Sequence, residues 1–415
     1  MKAIYTVGEN VTAEFNDDRK SIILHSENGT LWADWPDKAG IPRNKVSSIR
    51  VTKGIVHLPK DASKLFSGLS ILKTMNMSGF DSSETENMEA MFAGCYRLRR
   101  LKMNGLDTSR AVNMDSMCDG CSSLVNIDLK NFDTSNVTSM NSMFFNCQSL
   151  KSLDLSRFDT SKVTSMQNIF AECASLIDID LSSFNTSRVT NMKWMFRQCK
   201  SLKNLDVSSL DTSNVTDMSQ MFFGCGHLTD LDLKNFDTSK VKDMTYMFFN
   251  CSSLAELGIS NLKTSNVTNM TGMFERCSSL KSLDVSGFDT SNVQSMERMF
   301  DGCEGLEYIN VSTFDTRRVA DMRYMFYGCK NLRVLNVSGF KTPALTKIKA
   351  MFNCCEHIKI LDLNGFDFSN VTNTENMFSD CKRLEQVIMP AIMSPDMSTK
   401  NIFRGCPQNI SVIPV

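Results

Sequence analysis

The side chains best equipped for chemistry in this chain are its cysteines, fifteen in 415 residues. Thiolates bind zinc, exchange disulfides or act as nucleophiles, and each use has its own spacing. The observed spacing fits none of them. Cys95, Cys121, Cys147, Cys173, Cys199, Cys225, Cys251, Cys277, Cys303, Cys329, Cys355, Cys381 and Cys406 recur every 26 residues, with one 25-residue step at the end. Each closes an apolar run such as Met221, Phe222, Cys225, so buried free thiols are expected in place of a disulfide framework. Cys118 and Cys121 form a Cys-x-x-Cys spacing, but Cys118 takes a slot that other repeats fill with Phe and reads as a small core substitute. Cys354, off the ladder beside Cys355, is the candidate for an exposed thiol. The four histidines, His25, His57, His227 and His357, fall in unrelated slots. With no His-x-x-x-His pair, glycine-rich phosphate loop or Gly-x-Ser-x-Gly elbow, the chain reads as a non-enzyme without catalytic, cofactor or metal residues.

The cysteine rhythm belongs to a whole repeat. A period in the range of roughly 20 to 50 residues marks coils that bury their apolar faces only by stacking on one another. One unit runs Leu150, Leu153, Asp154, Leu155, Phe158, Asp159, Thr160, Ser161, Val163, Met166, Ile169, Phe170, Cys173, and the next refills almost every apolar slot. Leu231, Asp232, Leu233 alternates with period two and predicts a short parallel strand with its leucines inward. Phe236 to Ser239 turns the chain, the Asp237 carboxylate accepting from backbone N–H groups ahead of it. Met244, Met247, Phe248 and Cys251, at i, i+3, i+4 and i+7, predict one face of a short helix. The expected architecture is therefore an α/β repeat: about thirteen 26-residue coils, one strand and one short helix per coil. Residues 62–389 form this solenoid, 1–61 a β-rich N-terminal cap, and 390–415 an irregular final coil and C-terminal cap. In the cap, Val11 to Phe15, Ser21 to His25, Thr30 to Trp35 and Val46 to Val51 read as strands, with Trp32 and Trp35 packing them together.

The unit resembles the BspA-like leucine-rich repeat family of bacterial surface proteins, whose repeat reads close to FDTSNVTDMSxMFxxCxSLxxLDLSN. Phe132 to Cys147 and Asp211 to Leu233 follow that pattern almost residue for residue. The resemblance implies a right-handed leucine-rich-repeat solenoid, display at the cell surface or secretion, and adhesion to host or neighbouring-cell proteins. It implies no catalytic residues. Departures cluster toward the C-terminus: Lys263 and Lys341 replace the turn Asp, Pro343 enters a turn, Thr374 replaces a core Met, and the last coil carries Pro390 and Pro395. Met1 to Asn10 has no secretory-signal pattern, and the given sequence shows no sortase-type tail. An intracellular, cytoplasmic scaffold is the alternative reading.

A net charge of -1 gives no overall basic footprint for nucleic acid, and no apolar run is long enough to span a bilayer. The expected partner is a protein. On the strand face, Asp178, Asp180, Asp206, Asp230 and Asp232 concentrate negative charge, and Tyr308, Val334 and Ile360 put apolar groups in slots that are otherwise polar. The competing surface is aromatic: Trp194, Tyr246 and Tyr324 occupy the slot between the two methionines of their repeats.

Overall fold

The computed structural model describes residues 2–390, 394 and 397–414. The chain forms two compact units, Met1–Leu210 and Asp211–Val415, and each is described by itself.

In the first unit, β1 (Lys2–Asn16) and β2 (Ser21–Leu31) pair antiparallel, with a register shift between Glu9 and Val11. The Asn28-Gly29 step does not break β2 as expected. Gly29 lies within the strand, where an added Cβ would meet the Glu9 carbonyl oxygen at 1.9 Å, so only glycine lets the two backbones approach there. Thr30 to Trp35 is accordingly not a separate strand, and Trp35 opens a one-turn helix, α1 (Trp35–Lys38). Trp35 is fully buried, donates from Nε1 to the Leu65 carbonyl at 3.2 Å and meets Phe66 edge-on, so it packs the cap as expected. Trp32 is half-buried under Lys38, whose Nζ lies 4.0 Å from the ring centroid.

β2 also pairs, in parallel, with β3 (Ser48–Lys53) and β4 (Val56–His57). From these the coil ladders start: β3 pairs with β5 (Thr74–Asn76), and β4 with β6 (Phe80–Asp81). The strand ladder then runs through β7 (Arg100–Lys102) and β8 (Asn126–Ile127). The cap thus supplies the first rung and covers an edge that would otherwise be open to another chain. In the second unit β9 (Asp230–Asp232) pairs with β10 (Glu256–Gly258), and β11 (Ser282–Leu283) with β12 (Tyr308–Ile309). β13 (Ile360–Asp362), β14 (Gln386–Met389) and β15 (Ser411–Pro414) form its last sheet. All are parallel and in register; Leu231, Leu283, Ile309, Leu361 and Val387 are buried as expected, whereas Leu257 is half-buried and Val412 and Ile413 of the last strand are exposed. Among the described residues after 390, β15 continues the strand ladder and Phe403 stacks on Phe378 at 5.3 Å. Pro395 lies outside the described residues.

The helix expected in each coil is not there. Met247 donates to Met244, Phe249 to Tyr246 and Cys251 to Phe248, a chain of four-residue turns. Tyr246 and Asn250 sit at φ 53° and 54°, left-handed conformations that no right-handed helix admits. The N–H groups of Tyr246, Phe248 and Asn250 donate to Thr271, Met273 and Glu275 of the following coil at 2.7 to 2.9 Å. In a helix the same donors would be used within the segment. Asp243 opens the run, accepting from the Thr245 N–H at 2.8 Å. Successive turns place Met244, Met247, Phe248 and Cys251 inward just as a helix face would, and all four are fully buried.

The core is columnar. In the second unit Phe222, Phe248, Phe274, Phe300, Phe326, Phe352, Phe378 and Phe403 stack with centroids 5.3 to 5.9 Å apart. Ladder thiols donate back to carbonyls of the preceding coil, as Cys277 Sγ does to Phe248 at 3.1 Å and Cys147 Sγ to Cys118 at 3.2 Å. All fifteen cysteines are free. Burial pushes ladder thiols such as Cys251 and Cys277 up, and Cys173 to about 12, so they are unreactive, whereas the half-buried Cys406 is lowered by its hydrogen bond with Cys381. Cys354 is only partly exposed.

A buried threonine ties most turns to the next coil, with Ser82 in its place in the first and Phe368 in one near the end. Thr238 Oγ1 donates to the Lys263 carbonyl at 2.8 Å and accepts from the Lys263 N–H at 2.8 Å. Thr316 does the same for Lys341 at 2.9 Å. Lys263 and Lys341 therefore leave the turns intact, since the backbone is held by threonine and not by the missing aspartate. Pro343 is absorbed too, the Leu345 N–H still reaching Thr342 O at 3.0 Å. Thr374 is buried and donates to the Ser398 carbonyl at 3.0 Å.

Candidate functional site

Five aspartates were singled out on the strand face. Asp178, Asp180 and Asp206 fall in the first unit, Asp230 and Asp232 in the second, and all are exposed. They are of two kinds. Asp232 closes β9, while Asp180 and Asp206 hold the same slot in coils without an assigned strand; all three accept from the backbone N–H two residues on, Ser182, Ser208 and Lys234, at 2.9 Å. This bond to Ser182 holds the Asp180 carboxyl below the usual range against its acidic neighbours; Asp232 is lowered by Lys234, chiefly through the side chain. Asp154, Asp284 and Asp362 make the same turn, and Asn310 and Asn336 do so without charge. The slot thus serves to turn the chain. Asp178 and Asp230, one slot earlier, have no hydrogen bond or ion pair among the described residues, and their charge is available to a partner.

In that earlier slot Tyr308, Val334 and Ile360 follow on successive repeats and are 55%, 59% and 53% exposed. Tyr308 pairs directly with Val334 across the ladder. Their inward neighbours Ile309, Leu335 and Leu361 are buried, so the row is a second apolar layer outside the core.

The aromatic alternative is differently built. Trp194, Tyr246 and Tyr324 are half-buried, each at a left-handed position of its turn. Tyr246 meets Phe249 edge-on at 5.7 Å and Phe223 at 6.4 Å, while Phe223 and Phe249 stack at 4.3 Å. Arg298 lies 4.3 Å from the Tyr324 ring centroid, and Lys193 and Arg197 flank Trp194. These rings already cover their own coils.

Beneath Tyr246 lies a group that sequence reasoning missed. The Glu275 side chain is 7% exposed, Arg276 approaches only at 4.0 Å, and Oε2 has no hydrogen-bond partner. Its slot holds aromatic residues at Phe223, Phe249 and Tyr327 but carboxyls at Asp119 and, in the next repeat, Asp301. Burial, reinforced by Asp301, pushes its pKa up to about 7, while Asp301 itself is paired with Arg298 at 2.7 Å. Because the folded state then binds the Glu275 proton more tightly than the unfolded chain, stability is expected to fall as pH rises from the ordinary carboxyl range through about 7. Glu275→Gln is expected to remove that dependence and to exceed the wild type at pH 8 by up to about 3 kcal/mol. Urea unfolding at pH 5 and pH 8 checks it; a wild type equally stable at both would show Glu275 to be ionised throughout.

Among the described residues no group of three His, Cys, Asp or Glu side chains is placed to hold a metal ion, and no helix is long and apolar enough to cross a membrane. Stacked 26-residue coils with broad exposed faces define a repeat solenoid. The sequence profile of the family described as "Mycoplasma protein of unknown function, DUF285" matches residues 60–175, 144–231, 223–308 and 302–413, and the chain belongs to that family. Among solved structures it is similar to a leucine-rich repeat protein from Eubacterium ventriosum: 13% identity, 85% of this chain and 95% of that one covered, TM-score 0.37. A leucine-rich repeat protein from Bacteroides ovatus shares 15% identity over 99% of both chains, with TM-score 0.36. A leucine-rich cell surface protein from Faecalibacterium prausnitzii shares 16% over 80% of this chain and 93% of that one, with TM-score 0.31. Scores this low carry no functional weight. No curated protein matches.

Proposed function

We propose that the chain is a non-enzymatic protein-binding solenoid that acts as a bacterial surface or secreted adhesin for host or neighbouring-cell proteins. The row Tyr308, Val334, Ile360 carries this reading: three adjacent repeats spend exposed positions on side chains over half of whose surface faces water. Such a row repays desolvation only when something covers it. Asp230 lies in the same slot of the same unit, and a partner with a basic rim would be steered by it.

The test measures binding kinetics of a partner recovered by crosslinking on intact cells. Tyr308→Ala is expected to speed dissociation about tenfold or more, while Asp230→Asn slows association and flattens its salt dependence. If Trp194→Ala, Tyr246→Ala and Tyr324→Ala together abolish binding and the strand-face changes leave both rates alone, the turn side is the recognition surface. An intracellular scaffold is favoured by one observation, the fifteen free thiols. Surface labelling of intact cells separates the two locations.

A further inference from the structure

A near-neutral total conceals a local excess of positive charge in the first unit. Lys73, Arg97, Arg99, Arg100 and Lys102 are all exposed, and none makes an ion pair or a side-chain hydrogen bond among the described residues. Elsewhere cations are commonly matched across coils, as Lys60 is with Glu86 and Arg110 with Glu84. The five come together because β5 and β7 are adjacent rungs: Thr74 pairs with Arg100, and the Arg99 N–H donates to the Lys73 carbonyl at 2.9 Å. Two depressions flank the buried Leu101. One, of about 360 Å³, is lined by Lys73, Arg97, Arg99 and Ser123, without a carboxylate. The other, of about 600 Å³, has Arg100, Lys102 and Lys130 facing Asp128 and Asp154.

Positive groups therefore sit at both ends of one strand, about 10 Å apart at roughly 3.3 Å per residue. Along the stack the Lys102 column turns acidic at once, through Asp128, Asp154 and Asp180, and the Lys73 and Arg99 column passes to Val125 before Lys151. A ligand following the coils would meet repulsion in the first column and a gap in the second, whereas one lying along the strand meets cations at either end. Duplex nucleic acid, with a charge about every 1.7 Å, needs a longer basic track. An extended acidic peptide presents same-side carboxylates about 7 Å apart, too close for both depressions. A chain with one anionic group per disaccharide has nearly the observed spacing. We propose that this coil binds an acidic polysaccharide along β7, one charged group in each depression. The site is independent of the Tyr308 row, which belongs to the other unit.

The test uses the full chain with monosulfated keratan sulfate as a sulfated probe and hyaluronan as a carboxylated one, each with one anionic group per disaccharide, titrated calorimetrically at physiological ionic strength. Arg97→Ala with Arg99→Ala, and separately Arg100→Ala with Lys102→Ala, should each weaken binding about tenfold or more. Asp128→Asn with Asp154→Asn should tighten it, and Arg157→Ala with Arg188→Ala, exposed cations two and three coils away, should change it by less than about twofold. Binding of either probe or of both supports the site and identifies its anion. No binding of either probe, an equal loss in the Arg157/Arg188 variant, no gain from the asparagine pair, or tighter binding of polyglutamate or single-stranded DNA overturns it.

Discussion

Replacing Phe274 by alanine is expected to cost about 3–5 kcal/mol. The ring is fully buried and lies between Phe248 and Phe300, each 5.6 Å away and nearly parallel, so truncation removes two aromatic faces at once. The backbone cannot close the gap. The Phe274 N–H is tied to Met299 O, and its carbonyl accepts from Cys303 Sγ at 3.1 Å, which pins the position from the following coil. Urea unfolding reads the loss; a value below about 1 kcal/mol would mean that neighbouring side chains fill the space. Phe274→Leu, which refills most of the volume, should recover more than half of it.

The second large effect is polar. Thr238→Val keeps shape and burial but strips the Lys263 N–H and carbonyl of their shared hydroxyl, and each then loses a hydrogen bond in a part-buried site. A cost of about 2–3 kcal/mol is expected, against less than about 1 kcal/mol for Thr238→Ser, which restores the hydroxyl. If valine and serine variants unfold at the same urea concentration, packing of the methyl and not the hydroxyl bridge holds the turn. Amide exchange at Lys263 gives an independent reading, since only the valine variant should expose it.

The core was legible in the sequence because its period is refilled so consistently: Met244, Met247, Phe248 and Cys251 were placed inward, and they are. The backbone that carries them was not. Spacings of i, i+3, i+4 and i+7 are met equally by two helical turns and by consecutive four-residue turns, and the pattern cannot tell where the N–H groups go. Tyr246 and Asn250 in left-handed conformations decided it, and neither tyrosine nor a lone asparagine announces that geometry. The strand-face aspartates were found in their slots, but the sequence could not separate Asp178 and Asp230, whose side chains make no hydrogen bond or ion pair among the described residues, from Asp180, Asp206 and Asp232, which accept from the backbone two residues on. Thr238 was read as one turn residue among several because its partner lies 25 residues away. The cations around Arg99 were hidden by summing charge over the whole chain, and Glu275 by a slot that mixes aromatic residues with carboxyls such as Asp301.

The sharing of alternate N–H groups with the following coil also governs how such a chain can change its length. Each rung presents the same set of donors and acceptors to the next, so a duplicated or lost repeat leaves every remaining partner matched. A shorter insertion is tolerated only where no rung bond is made. The 25-residue step conforms: Gln386 still pairs with Ile360, 26 residues back, while Asn373 pairs with Ser398, 25 residues on, so the change of step falls between those two ladders. Size in this architecture is inherited in whole coils, and a new binding face can be gained by copying one.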